Sequence, residues 1–108
     1  EMQAEAHCNA LPATLLPGMV EAQRLRDAGF AATVLEALET SGGPVVLITG
    51  NGHARTDWAV PAMIALAAPE VVVISAGQFE SEPDPDAPFD LWHVTEPALR
   101  EDPCAAFQ

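Results

Sequence analysis

The chain has 108 residues, of which 49% are hydrophobic, so it is long enough to form one compact domain with its own core. Sixteen acidic residues, four arginines and no lysine give a formal charge of -12, which disfavours nucleic acid and anionic membrane surfaces as partners. The apolar runs are also far shorter than the roughly 20 residues that a membrane-spanning helix needs.

The amino-terminal part of the chain is interrupted by prolines before it becomes strongly helical. It starts at Glu1 with no basic-then-apolar leader, which predicts either a removed leader or a piece of a longer protein. Pro12 and Pro17 predict irregular structure or short helical turns before residue 18. Over residues 18–40, apolar side chains recur every three or four positions. This spacing predicts a long amphipathic helix, ended by Gly42 and the residues around it.

Two apolar segments then frame a predicted βαβ unit over residues 45–75. Residues 45–49 (VVLIT) and 71–75 (VVVIS) are continuous runs rich in β-branched side chains, which is typical of strands covered on both faces. Pro61 suits the first turn of a short helix over residues 62–68. The order strand, helix, strand predicts a parallel pair with a right-handed crossover.

The carboxyl-terminal part of the chain is predicted to be mostly loop. Residues 80–88 (ESEPDPDAP) alternate acids with prolines, so we expect an extended, solvated loop. Residues 89–95 (FDLWHVT) predict one more strand, and the last stretch reads as a tail that needs a tether. Taken together, the elements predict a single α/β domain over residues 1–108.

The segment GNGHAR follows the first predicted strand and is the main candidate for a binding site. Ligands of open α/β sheets sit beyond the carboxyl ends of the strands, where a glycine such as Gly52 lets the backbone approach them closely. His53 offers an imidazole as a metal or haem ligand or as a base, Asn51 an amide, and Arg55 a bidentate clamp for a carboxylate. The alternative is a tight turn whose histidine only caps backbone groups.

A second cluster of polar residues lies on or beside the apolar stripe of the long helix. It consists of Gln23, Arg26 and Asp27. A carboxylate among core residues is costly unless it is paired, so Asp27 requires a partner, and Arg26 and Arg55 are candidates. The cluster is either a structural ion pair or the floor of a site topped by His53.

Several stretches, taken together, resemble a known family. They are HCNALP, AQRLRDAGFA, VVLITGNGHARTDWAVP, ISAGQFE and EDPC, and they are similar to the carboxyl-terminal half of the ChaN-like haem-binding uptake family. That family shares a superfamily with the Tiki metalloproteases and the erythromycin esterases. The resemblance implies an α/β fold with a mostly parallel central sheet flanked by helices, of which this chain holds a partial, half version.

The resemblance also implies a location and a cysteine pairing. Such proteins are usually bacterial, exported to the periplasm, and often tethered by a lipid anchor, for which this chain carries no residues. Cys8 and Cys104 alone leave open a disulfide or two free thiols. The family positions and an oxidising compartment imply that they pair. The edge left by a missing half favours a homodimer.

Two functions follow from the resemblance, together with a simpler alternative. The first is haem binding for iron uptake, with His53 as contact to the iron or a propionate, Arg55 as propionate clamp, and an apolar slot lined by residues such as Phe30, Trp58 and Met63. The second is metal-dependent hydrolysis, with His53 as ligand of a divalent metal or base and Asp27 orienting it. The absence of a nucleophile motif and of a second ligand set favours the binding function over an enzyme. The third alternative is an inactive structural fragment.

Overall fold

The fold is organised around one long helix, as seen in a computed structural model that describes residues 1–107. The helices are α1 (Met2–Ala6), α2 (Leu16–Ser41), α3 (Asn51–Ala54) and α4 (Val60–Ala67), and the strands are β1 (Ala76–Phe79) and β2 (Leu91–Val94). Single 3₁₀ turns lie at Ala13–Leu15 and Ala105–Phe107. The chain is therefore of mixed α/β class, as the sequence predicts.

Helix α2 covers the residues for which a long helix is predicted. Pro17 lies in its first turn, where a proline costs no hydrogen bond. At the other end, Gly42 adopts the left-handed conformation (φ 78°) and donates its N–H to the Leu38 carbonyl at 2.9 Å. This glycine cap satisfies a terminal carbonyl of the helix and turns the chain away from its axis.

The core lies between α2 and α4. Ala31 of α2 and Val60 and Ile64 of α4 are buried, and partly buried apolar side chains surround them. Those side chains are Phe30, Val34, Leu35, Met63, Val71 and Val73. Because two helices must meet closely at Ala31, a small residue there lets the larger side chains of α4 pack against α2. This packing fixes the position of the chain between the two helices, which carries α3.

The sheet differs from the predicted βαβ unit. Residues 45–49 and 71–75 are extended but form no strand pairing with the described residues, so the prediction of strands there is corrected. A strand requires a hydrogen-bonded neighbour, and the two segments line one cavity without pairing with each other. The parallel pair is formed by β1 and β2, from Ala76 opposite Leu91 to Phe79 opposite Val94. The described residues thus hold a two-stranded sheet and not a central sheet flanked by helices.

The ends of the chain are tied to the rest of the molecule. Cys8 and Cys104 form the disulfide that the resemblance implies, with their Cα atoms 5.4 Å apart and a sequence separation of 96. Arg100 binds the Glu80 carboxylate through both terminal nitrogens, at 2.8 and 2.7 Å. Together with the Ala98 N–H, these bonds hold the pKa of Glu80 below its usual value. The tail after β2 is therefore fixed in spite of its lack of regular structure.

No helix among the described residues is long and apolar enough to cross a membrane.

Candidate functional site

Helix α3 is a single turn that presents His53 to the long helix. It follows the extended segment 45–49 directly, and Gly50 caps it in an extended conformation (φ -71°, ψ 153°). The His53 N–H donates to the Gly50 carbonyl at 3.0 Å, which closes the turn. A sharp change from extended chain to helix therefore places the imidazole beside α2.

The buried carboxylate of α2 finds its partner in this imidazole. Asp27 is only 1% exposed, and its Oδ1 lies 2.7 Å from His53 Nδ1. An ionised carboxylate only accepts hydrogen bonds, so His53 Nδ1–H is the donor of this contact and Nε2 is the ring nitrogen that it does not use. Within residues 1–107, the side chains of Arg26 and Arg55, the partners considered from the sequence, form no ion pair or hydrogen bond with Asp27. The cost of burying this charge is offset by a histidine 26 residues further along the chain.

Gln23, one turn before Asp27, covers the same imidazole. Its Nε2 lies 3.1 Å from His53 Nε2 and 3.3 Å from His53 Nδ1. One atom this close to both ring nitrogens cannot lie in the ring plane, because it would overlap the carbon between them, so the amide lies over the face of the ring. Phe30 packs against the ring in a T-shaped arrangement, 5.2 Å between centroids. Gln23 and Asp27 thus both contact His53, an arrangement that fits either of the two sequence interpretations.

Asn51 has a structural role in the described fold. Its Nδ2 donates to the Gln78 carbonyl at 2.6 Å, and its Oδ1 accepts from the Gln78 N–H at 3.0 Å. Both polar atoms of the side chain are therefore used to fasten α3 to β1. The sequence pattern marked this amide as a ligand contact because it could not show which backbone would reach it.

Ser75, which supports the end of α3, is not identified by the sequence analysis. The buried Ser75 donates its hydroxyl to the Ala54 carbonyl at the end of α3, and its backbone N–H donates to Asp90 Oδ2 at 2.7 Å. The signal in the sequence is a hydroxyl that ends an otherwise apolar run. Such a side chain requires a buried partner, but the identity of that partner depends on the fold.

Arg55 contacts two neighbouring side chains in this structure. Its guanidinium binds both oxygens of Asp57, at 3.0 and 2.6 Å, and lies 3.8 Å from the ring centroid of Trp58. A bidentate ion pair combined with a cation–π contact occupies the planar face and the fork of the side chain. These contacts order the loop between α3 and α4, and the role of propionate clamp stays a prediction for Arg55.

Gln23 also lines a cleft of about 790 Å³, called the Gln23 cleft below. Apolar side chains from α1, α2 and α4 line it, with Trp58 at one side. Gln23, Asp27 and Gly52 also line the cleft, whereas His53 does not. The lining residues are Glu1, Met2, Gln3, Leu16, Val20, Gln23, Arg24, Asp27, Gly52, Asp57, Trp58, Ala62, Met63 and Leu66. Gln23 therefore stands between the cleft and the imidazole.

Two of the four arginines make no ion pair within residues 1–107. Arg24 lines the cleft, and Arg26 is exposed outside it. The side chain of Arg26, a predicted site residue, thus does not line the cleft that Gln23 and Asp27 line. Arg24, which sequence reasoning passed over, is the cation that the fold brings to the cleft.

His53 also borders a second, smaller cavity of about 370 Å³. It lies between the extended segments 45–49 and 71–75 and is lined almost wholly by aliphatic side chains. The imidazole is consequently placed between two spaces, an apolar gap on one side and the Gln23-covered cleft on the other.

The residues described do not assemble a protein-only metal centre. Within residues 1–107, no group of three or more histidine, cysteine, aspartate or glutamate side chains is placed to hold a metal ion. One histidine with a carboxylate on its other nitrogen resembles a single ligand with its orienting partner. Such an arrangement suits an iron that brings most of its ligands with it.

Comparisons with known proteins give one match. The model of a family described as haem-binding uptake, Tiki superfamily, ChaN matches residues 1–64, which is 64 of the 108 residues. The matched part includes Gln23, Asp27 and His53, and it ends within α4. No curated protein and no solved structure matches the chain.

Proposed function

We propose that this chain binds haem, on the premise that it belongs to the haem-binding uptake (ChaN) family of the Tiki superfamily. The observation that carries the proposal is the Asp27–His53 pair beside an apolar cleft. A histidine that donates Nδ1–H to a carboxylate keeps its Nε2 as a ligand atom, and this is how proteins orient an imidazole toward a metal.

The cleft fits the size and character of the group. Its volume of about 790 Å³ lies within the usual range for small-molecule sites, and its walls combine apolar side chains with a few polar ones. Trp58 and Met63 supply apolar surface for a flat macrocycle, as the resemblance implies. Haem, if bound, would supply the iron, and His53 would hold it through an imidazole nitrogen.

Arg24 is the residue we assign to the haem carboxylates. It lines the cleft and has no acidic partner among the described residues, whereas Arg55 is engaged by Asp57. In a chain of net charge -12, an unpaired guanidinium at the cleft is the strongest local attraction for a propionate. Gly52 leaves the backbone of α3 open to the cleft at this side.

The same proposal covers location and assembly. The disulfide supports an exported, periplasmic protein, because such bonds persist in oxidising compartments. The unpaired segments 45–49 and 71–75 support a chain that contributes part of a larger, mostly parallel sheet flanked by helices. Their exposed faces also support a homodimer.

One observation favours a second candidate function. A buried aspartate that orients a histidine is also the arrangement of a general base, so metal-dependent hydrolysis of an ester is the alternative. It would require metal ligands and a nucleophile in addition to those described within residues 1–107. This is why haem binding comes first.

Titration with hemin tests the proposal. We expect a Soret band that saturates near one haem per chain and weakens strongly in His53→Ala. Because His53→Ala leaves the Asp27 carboxylate buried and unpaired, His53→Gln serves as the second variant, and circular dichroism verifies the fold of both. An unchanged hemin spectrum on adding the wild-type chain would contradict haem binding. Ester turnover that requires added Zn²⁺ and is lost with a chelator would favour the hydrolase instead.

A further inference from the structure

We propose that Gln23 is a gate that controls access from the cleft to His53. The inference rests on the proposed function, since it concerns how a ligand in the cleft reaches the imidazole. Gln23 lines the cleft and also contacts the ring, whereas His53 does not line the cleft. A ligand that enters from this side therefore meets the amide before the imidazole.

The geometry of the contact explains how the gate is closed. The Gln23 Nε2 lies 3.1 and 3.3 Å from the two ring nitrogens, over the face of the ring. Asp27 fixes Nδ1 from the edge at 2.7 Å, and Phe30 packs against the ring in a T-shaped contact. Three side chains thus contact the imidazole. Of these, Gln23 and Asp27 line the cleft, and Gln23 is partly exposed whereas Asp27 is buried.

The same geometry explains why the gate can open. The amide lies over the ring and not along the in-plane lone pair of Nε2, so its hydrogen bond is poorly aligned and weak. The side chain is partly exposed at the cleft, where water satisfies its amide when it swings away. Gly52 offers no side chain to block this movement, and even an added Cβ there would lie 3.8 Å from the amide nitrogen.

The Asp27 contact is of a different kind. Asp27 is buried and accepts from the edge of the ring, so it keeps the imidazole oriented while Gln23 moves. Gln23 is therefore a positioning residue for ligand entry, and Asp27 is a positioning residue for the ring itself. The two roles are separable because Asp27 contacts the edge of the ring, whereas Gln23 lies over its face.

The test compares Gln23→Ala with Gln3→Ala. Gln3 also lines the cleft, from α1, and does not touch His53, so it controls for the loss of an amide from the cleft wall. Alanine is the best helix former, so α2 is expected to tolerate the substitution. The first readout needs no haem: the rate at which diethyl pyrocarbonate modifies His53, followed by mass spectrometry, with the exposed His7 and His93 as internal references.

In Gln23→Ala we expect His53 to be modified faster by roughly two- to tenfold, as the loss of one modest hydrogen bond allows, and Gln3→Ala to match the wild type. Hemin association should accelerate in the same variant. An unchanged rate of His53 modification in Gln23→Ala overturns the gate, and so does weaker hemin binding in that variant, which would make Gln23 a ligand contact. Faster modification without any hemin binding by the wild type retains the gate and overturns the haem proposal.

Discussion

The pairing of Asp27 with His53 is the central contact at the scale of single residues. The sequence predicts that a carboxylate on the apolar stripe of a helix needs a partner, because an unpaired buried charge is costly. It does not predict which residue is the partner, because Arg26 and Arg55 carry the charge that a carboxylate partner needs. The choice depends on a one-turn helix that swings His53 against α2.

We expect removal of the Asp27 carboxylate to destabilise the fold. Asp27→Ala leaves the His53 N–H without its acceptor, so the free energy of unfolding should fall by about 1–3 kcal/mol. Asp27→Asn keeps an oxygen acceptor, so its free energy of unfolding should fall by less than that of Asp27→Ala. Urea denaturation with a constant m-value measures both.

Asp57→Ala is the matched control for this prediction. Its carboxylate pairs with Arg55, but its side chain is 36% exposed compared with 1% for Asp27, and a solvent-exposed ion pair contributes only about 0–1 kcal/mol. Equal losses in Asp27→Ala and Asp57→Ala would mean that burial does not set the strength of the Asp27–His53 contact.

At the scale of elements, α3 is held from two directions. Asp27 and Gln23 of α2 hold its histidine, and the backbone of Gln78 in β1 holds its asparagine. The position of the imidazole therefore depends on the contacts of α3 with β1 as well as on those with α2. A turn of four residues gains little stability from its own hydrogen bonds, so these side-chain contacts determine where it lies.

Asn51→Ala should loosen α3 from β1. Two hydrogen bonds are lost at a partly exposed position, so we expect a loss of about 1–2 kcal/mol and faster hydrogen exchange of the Gln78 amide. Asn51→Asp retains the acceptor for the Gln78 N–H, so its stability and its exchange rate at Gln78 should lie between those of Asn51→Ala and the wild type. An exchange rate at Gln78 that is the same in all three proteins would contradict the role of Asn51 as a fastener.

The sequence predicts the elements of this fold unevenly. The range of α2, the solvated loop after residue 80 and the strand around β2 follow from periodicity and composition, which are local properties. The strands predicted at 45–49 and 71–75 do not form among the described residues. Their composition is typical of buried strands, but a strand also needs a neighbour to pair with, and composition does not specify that neighbour. For the same reason GNGHAR predicts a candidate site, but it does not predict that its arginine binds Asp57.

At the scale of the whole molecule, the extended segments leave an apolar face without cover. Val46, Ile48, Val72 and Ile74 are 81%, 88%, 89% and 70% exposed, and all four are β-branched. The alternate side chains of the second segment, Val71 and Val73, pack against the core. The second segment therefore has one packed and one exposed face, as a strand has, and the first segment adds the exposed Val46 and Ile48 to the uncovered surface.

We expect the wild-type chain to form a dimer through this face, and we expect Ile48→Lys to dissociate it. A lysine on the face would be buried without a partner in the dimer, so analytical ultracentrifugation should show a monomer for the variant. Leu99→Lys is the control, because Leu99 is fully exposed in the tail, away from both segments. A wild-type chain that sediments as a monomer at high concentration would contradict the homodimer.

The disulfide between Cys8 and Cys104 also changes the topology of the molecule. With a sequence separation of 96, it closes the chain from Cys8 to Cys104 into a covalent ring. A break in the backbone anywhere in that ring, such as in the exposed acidic loop at 80–88, opens the ring without releasing a fragment. The two walls of the Gln23 cleft, α1 and α2 on one side and α4 on the other, consequently remain parts of one molecule after a single cut.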